Sequence, residues 1–156
     1  MAEYDVFDEA IINAKPSVVY KALLTEYSGE TNWWKPYFEA KPREASTVDK
    51  PGALIDITLH GGRTLKIMAK TEQVKKNELW QFQYVEGDFR GEGTWKLEGT
   101  DRKTKLSFRW RCSLSKLLLR ITAPFVNIPK RHSEVMKLGF EGLNKHIKKS
   151  VESYGK

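Results

Sequence analysis

Few side chains in this chain could do chemistry. There are three histidines, His60, His132 and His146, and one cysteine, Cys112. No histidine pair has metal-ligand spacing, and one cysteine cannot complete a site, so no metal and no cofactor are expected. Neither a Gly-x-Ser-x-Gly elbow nor a phosphate loop occurs. Gly91-Glu92-Gly93 lacks the third glycine and the following helix of a dinucleotide fingerprint. Three candidates remain for acid–base work. His146 could act as a general acid or base if it faces a pocket; the plainer reading is a partly exposed histidine bonded to backbone or water. Asp8 shares the Ala10/Ile12 face of the first strand, an inward face unless the register is off by one residue. Tyr84 alternates on one side of a strand with Trp80 and Phe82. His132, in the first turn of the last helix, reads as a surface or hinge residue. Cys112, among alternating apolar residues, reads as a buried, inert thiol.

The element that must position these groups is the C-terminal stretch Pro129 to Tyr154. At a helical period, Met136, Phe140, Leu143, Ile147 and Val151 form one apolar row. Glu134, Lys137, Glu141, Lys145, Lys148 and Glu152 form an opposite charged row. Val135, Gly139, Gly142 and His146 lie beside the apolar one. Two glycines inside a helix cost roughly 1 kcal/mol each against alanine, so the helix needs the space they leave. Close packing on a sheet and a void for a ligand are both readings of that space.

Ahead of this helix the chain reads as a strand over Tyr4–Ala14 and a helix opened by Pro16. A second short helix is expected over Thr31–Pro36. From Tyr37 the texture becomes short alternating runs closed by turn residues. Tyr37–Glu44 contains Pro42 and is expected at a sheet edge. Runs at Ala53–His60, Thr64–Val74, Glu78–Val85, Phe89–Glu98 and Thr104–Leu114 follow, with Gly61-Gly62 as a hairpin signal. Strands followed by a helix argue for an α+β domain with an antiparallel sheet covered on one face. Gly91 and Gly93, on the inward side of their strand, mark bends that let the sheet curl.

The chain has 156 residues, 40% hydrophobic and 30% charged, as expected for one soluble domain spanning residues 1–156. A single cysteine permits no internal disulfide and fits a reducing compartment. No basic-then-apolar start and no run of about 18 apolar residues is seen, so a cytoplasmic location is expected. The net charge of +7 is spread among glutamates. A solvated surface is the expected meaning, including the cluster Lys145, Lys148 and Lys149, and no nucleic acid is expected.

The order of elements resembles the helix-grip fold of the START-like, or SRPBCC, superfamily. Asn13 through Tyr20 is similar to its opening strand and alanine-proline helix start. Gly87 through Trp95 and Thr104 through Trp110 resemble paired strands of the polyketide cyclase/dehydrase-like branch. His132 through Leu143 resembles the closing helix, where an Asn-His-Asp triplet often precedes a Val-Met and a glycine. Here Arg131 and Ser133 replace the Asn and Asp, so only His132 carries over. The resemblance implies a curved antiparallel sheet wrapped around the long helix, with two short helices after the first strand and a cavity between.

The residues supply walls for such a cavity. Trp80, Phe82, Tyr84 and Phe89, with Trp95, Phe108 and Trp110, exceed what a flat sheet on one helix needs. Gly139 and Gly142 stand opposite, flanked by Met136, Phe140 and Leu143. Ser115–Ile128 is too apolar for an ordinary loop. A lid, a patch touching the membrane surface and a short buried helix are its three readings. The leading function is binding of a small hydrophobic ligand, lipid-like, aromatic or polyketide-like. A cyclase/dehydrase-like enzyme using the same cavity is the second, and an interaction domain with a filled core and basic surface the third. Oligomeric state is not readable.

Overall fold

A computed structural model describes residues 3–44, 47–61, 63–115 and 127–154. Seven strands, β1 (Tyr4–Ile12), β2 (Phe38–Pro42), β3 (Leu54–Gly61), β4 (Arg63–Lys75), β5 (Leu79–Gly87), β6 (Phe89–Gly99) and β7 (Thr104–Leu114), form one sheet. All neighbours are antiparallel, in the order β1-β7-β6-β5-β4-β3-β2. Strands β2 to β7 follow one another as hairpins. The helix α1 (Pro16–Tyr27) joins the two edge strands, and α2 (Ile128–Tyr154) lies in the curl of the sheet. Pro42 sits on edge strand β2, where its missing N–H interrupts no interior ladder.

The curl has local causes. Register shifts between Met68 and Ala69 and between Thr71 and Gln73 insert extra residues into the β4–β5 pairing and bend it. At Gly91 the backbone has φ 142° and a side chain would collide with the β7 backbone at Arg111 and Cys112. Only glycine lets β6 approach β7 so closely there. Gly93 leaves room instead for the rings of Phe82 and Phe108.

The inner face carries Trp80, Phe82, Trp95, Leu106 and Phe108, all buried. Each stabilises the fold by roughly 1.5–3 kcal/mol. Arg109 and Arg111 point outward and pair with Asp5 and Glu92. Helix α2 is capped by Asn127, whose Oδ1 accepts from the Lys130 N–H at 3.1 Å. It buries Met136, Phe140, Leu143 and Ile147 against the sheet. Val151, expected in the same row, is 65% exposed because the last turns run past the core. Asn144 ties the helix to the end of β1, accepting from the Asn13 N–H at 3.0 Å and donating to the Ile11 carbonyl at 3.1 Å.

The expected second short helix is absent: residues 31–32 have no regular structure and 33–37 are turns. The backbone N–H groups of Trp33 and Trp34 donate to the carboxylate of Glu26, at 3.2 and 2.7 Å, instead of to helical carbonyls. Thr31 Oγ1 donates to the same carboxylate at 2.8 Å. Glu26 is itself only 2% exposed. A buried carboxylate with three donors is the anchor that sequence periodicity does not reveal.

Candidate functional site

Between the sheet and the N-terminal half of α2 lies a cavity of about 320 Å³. Strands β3 and β4 contribute Ile57, Leu59, Leu65 and Ile67 to its wall, and β5 and β6 contribute Tyr84 and Phe89. Phe108, Trp110 and Leu114 come from β7; Ile128, Arg131, His132, Val135 and Met136 come from α2. The segment around Trp34, Tyr37 and Phe38 closes another side. Period-two alternation brings the strand residues to one face, and the three-to-four step brings Ile128, Arg131, Val135 and the neighbouring His132 and Met136 to one side of the helix. A wall of aromatic and branched side chains with few polar groups suits an apolar guest. The core is therefore not filled throughout.

The cavity stops where Trp33 and Trp34 enter. Trp34 stacks on Phe38, with ring centroids 4.8 Å apart, and its Nε1 donates to the Val135 carbonyl at 3.0 Å. Trp33 Nε1 donates to the Ala22 carbonyl at 3.2 Å. A Cβ at Gly139 would lie closer than 3.0 Å to the Trp34 indole, and one at Gly142 closer than 3.0 Å to the Trp33 carbonyl oxygen. The two glycines make way for this pair of tryptophans and border no part of the cavity.

The polar groups of the wall gather on the first turns of α2 and at the β3–β4 hairpin. His132, read from sequence as a surface or hinge residue, is half-buried on the cavity wall, its side chain 17% exposed. Its ring stacks on Trp110 at 4.6 Å. Its Nδ1 faces Asp8 Oδ2 at 3.4 Å. The contact is not an aligned hydrogen bond: both atoms are buried and neither has a hydrogen-bond partner among the described residues. Burial pushes the Asp8 carboxyl up; His132 and Ser133 pull it down further, leaving it below its ordinary value. Asp8 is thus ionised at neutral pH, beside the histidine. The Tyr84 hydroxyl, also on the wall, bonds to no described residue, and burial raises its pKa well above the ordinary value. Arg131 Nη1 donates to the Gly61 carbonyl, and Arg63 stands two residues beyond that glycine.

Of the residues expected to touch a ligand, Tyr84, Phe89, Phe108, Trp110 and Met136 line the cavity. Trp80, Phe82 and Trp95 do not; they pack against Tyr27, which itself reaches the cavity wall, and Trp95 Nε1 donates to the Tyr27 hydroxyl at 3.1 Å. Phe140 and Leu143 are buried beyond the Trp33–Trp34 insertion. His146 is half-buried, is not on the cavity wall, and its backbone carbonyl accepts from Ser150. Asp8 reaches the site only through His132. Cys112 is buried, and that burial drives its thiol pKa up, which keeps it protonated and inert. Sequence reasoning missed Trp34, Tyr37, Arg63 and Arg131 as wall residues. The Trp33-Trp34 pair was the available signal, since two adjacent tryptophans seldom stay exposed. Residues 116–126 of the apolar Ser115–Ile128 stretch lie outside the described residues. Among the described residues no group of histidine, cysteine, aspartate and glutamate could hold a metal, and no helix is long and apolar enough to cross a membrane.

No protein-family profile and no curated protein matches the chain in sequence. Solved structures do match in shape. A protein from Thermus thermophilus superposes with a TM-score of 0.75 at 19% identity, covering 94% of this chain and 99% of its own. A START superfamily protein from Mycobacterium smegmatis gives 0.72 at 11% identity, covering 93% and 97%. The Zhui aromatase/cyclase from a Streptomyces species gives 0.66 at 10% identity, covering 95% of each chain. The fold is the helix-grip fold of START-like proteins, shared by a polyketide aromatase/cyclase.

Proposed function

We propose that this protein binds a small, largely apolar ligand in the cavity between β3–β7 and the first turns of α2. One observation carries the reading: about 320 Å³ is left unfilled inside an otherwise closely packed aromatic core. Apolar surface left in contact with water costs stability, on the order of 25 cal/mol per Å². A guest that supplies the missing contacts offsets that cost. The hydrophobic-ligand character of the START-like fold agrees with it. Native mass spectrometry of freshly purified protein tests the reading. A co-purified small molecule, released on denaturation, is the expected result.

A second reading, a cyclase/dehydrase-like enzyme, is favoured by the His132–Asp8 pair. An ionised Asp8 behind the ring would steady a proton on Nδ1 and leave Nε2 to exchange one with a substrate. The test is conversion of a synthetic poly-β-ketone by wild type and by His132→Phe. Turnover that disappears in the variant marks an enzyme; binding without turnover in either marks a carrier.

A further inference from the structure

Resting on the reading of the cavity as an apolar binding site, we propose that its ligand carries an anionic group, held by Arg63 and Arg131 at the β3–β4 end. The described wall contains two arginines and one histidine, and no aspartate or glutamate. Both residues belong to one locality: Arg131 donates to the Gly61 carbonyl, and Gly61 pairs with Arg63 across the hairpin.

On the outer face of the sheet, Arg43 pairs with Asp56, Arg109 with Asp5, and Arg111 with Asp5 and Glu92, while Arg90 pairs with no described carboxylate. Arg63 and Arg131 form no ion pair with any described carboxylate. Asp8 lies against His132, and Glu39 against His60. Residues 116–126 cannot supply the missing charge either, since their sequence holds Lys116 and Arg120 but no acidic side chain.

The start of α2 sharpens the imbalance. Its first turn carries Lys130 and Arg131 and no acidic residue; Glu134 follows in the second turn. The positive end of a helix favours negative charge, which Asp8 supplies beside His132 and an anionic ligand would supply beside Arg131. An anionic group near Arg131 would relieve both charges, and a guanidinium fork suits a carboxylate, sulfonate or phosphate oxygen pair. The apolar body would then occupy the aromatic wall beside Trp110 and Phe89.

The test compares two fluorescent dyes with one skeleton: phenylnaphthylamine, which is neutral, and anilinonaphthalene sulfonate, which adds one anionic group. Wild type, Arg63→Gln, Arg131→Gln, the double variant and Lys96→Gln, an outer-face control of equal charge, are each titrated with both. The sulfonate is expected to bind wild type about tenfold tighter than the amine. That preference, read as the ratio of the two dyes' affinities for each variant, should vanish in the double variant and survive in Lys96→Gln. If phenylnaphthylamine binds but the sulfonate gains nothing, or its gain survives in the double variant, the anionic-group inference falls and apolar binding stands. If neither dye binds wild type, the cavity reading falls and takes the inference with it.

Discussion

The two halves of α2 meet the same sheet in opposite ways. Toward its C-terminal end, Phe140, Leu143 and Ile147 are buried, and the gap left by Gly139 and Gly142 is occupied by Trp33 and Trp34. Toward its N-terminal end, Arg131, His132, Val135 and Met136 look onto unfilled space. The half with the smallest residues is the solid one, and the half with full-sized side chains is hollow. Missing side-chain volume in a helix thus says that something approaches closely, not that nothing does. Here the visitor is a pair of indoles, held in place by a buried carboxylate one helix away.

The strongest way to break this contrast is to block the solid half. Gly142→Leu should destabilise by about 3 kcal/mol, because a side chain there meets the Trp33 backbone, which cannot swing aside. The roughly 1 kcal/mol returned by removing a helix glycine does not compensate. Urea denaturation reads the change; a stability equal to or above wild type would place open space at Gly142. Removing the anchor comes next. Glu26→Ala strips three donors of their acceptor and should cost about 2 kcal/mol, accompanied by a change in tryptophan fluorescence.

Changes in the hollow half should be milder. Tyr84→Phe deletes a hydroxyl that bonds to no described residue, so stability should hold within about 1 kcal/mol or rise. A clear loss would reveal a partner for that oxygen. The smallest effect concerns pH. The folded pKa of Asp8 lies below its ordinary 3.8, so around and below that pH the unfolded chain binds more protons than the folded one. The Asp8 contribution is therefore present above pH 3.8 and lost as the pH falls through the folded value. Asp8→Asn should flatten this part of the acid-denaturation profile; an unchanged slope would mean the His132 contact contributes nothing.

Much of the fold is legible because β-structure writes itself in alternation. The alternation over Thr104–Leu114 delimits β7 to the residue, and Trp80, Phe82 and Tyr84 share a buried face as their spacing requires. The edge position of β2 follows from Pro42, and the curl from Gly91. The site is less legible because it depends on contacts between distant segments. Glu26 looks like any solvent-facing helix carboxylate until the 31–36 turn folds onto it. His132 looks superficial until β1 brings Asp8 beside it. Inward-facing aromatics are easily identified, but which of them fill the core and which frame a cavity is decided by where Trp33 and Trp34 insert. That is why Trp95 and Phe89, both inward on β6, have different neighbours.

The most direct test of ligand binding in the hollow half is a phenylnaphthylamine titration of wild type and Leu59→Trp. Leu59 lies on the β3 wall of the cavity, so an indole there can occupy the space without displacing the solid half. The account predicts saturable, blue-shifted binding to wild type and its loss in Leu59→Trp, with the unfolding free energy of the variant, from urea denaturation, within about 1 kcal/mol of wild type. Undiminished binding by a folded Leu59→Trp, or no saturable binding by wild type, would contradict it.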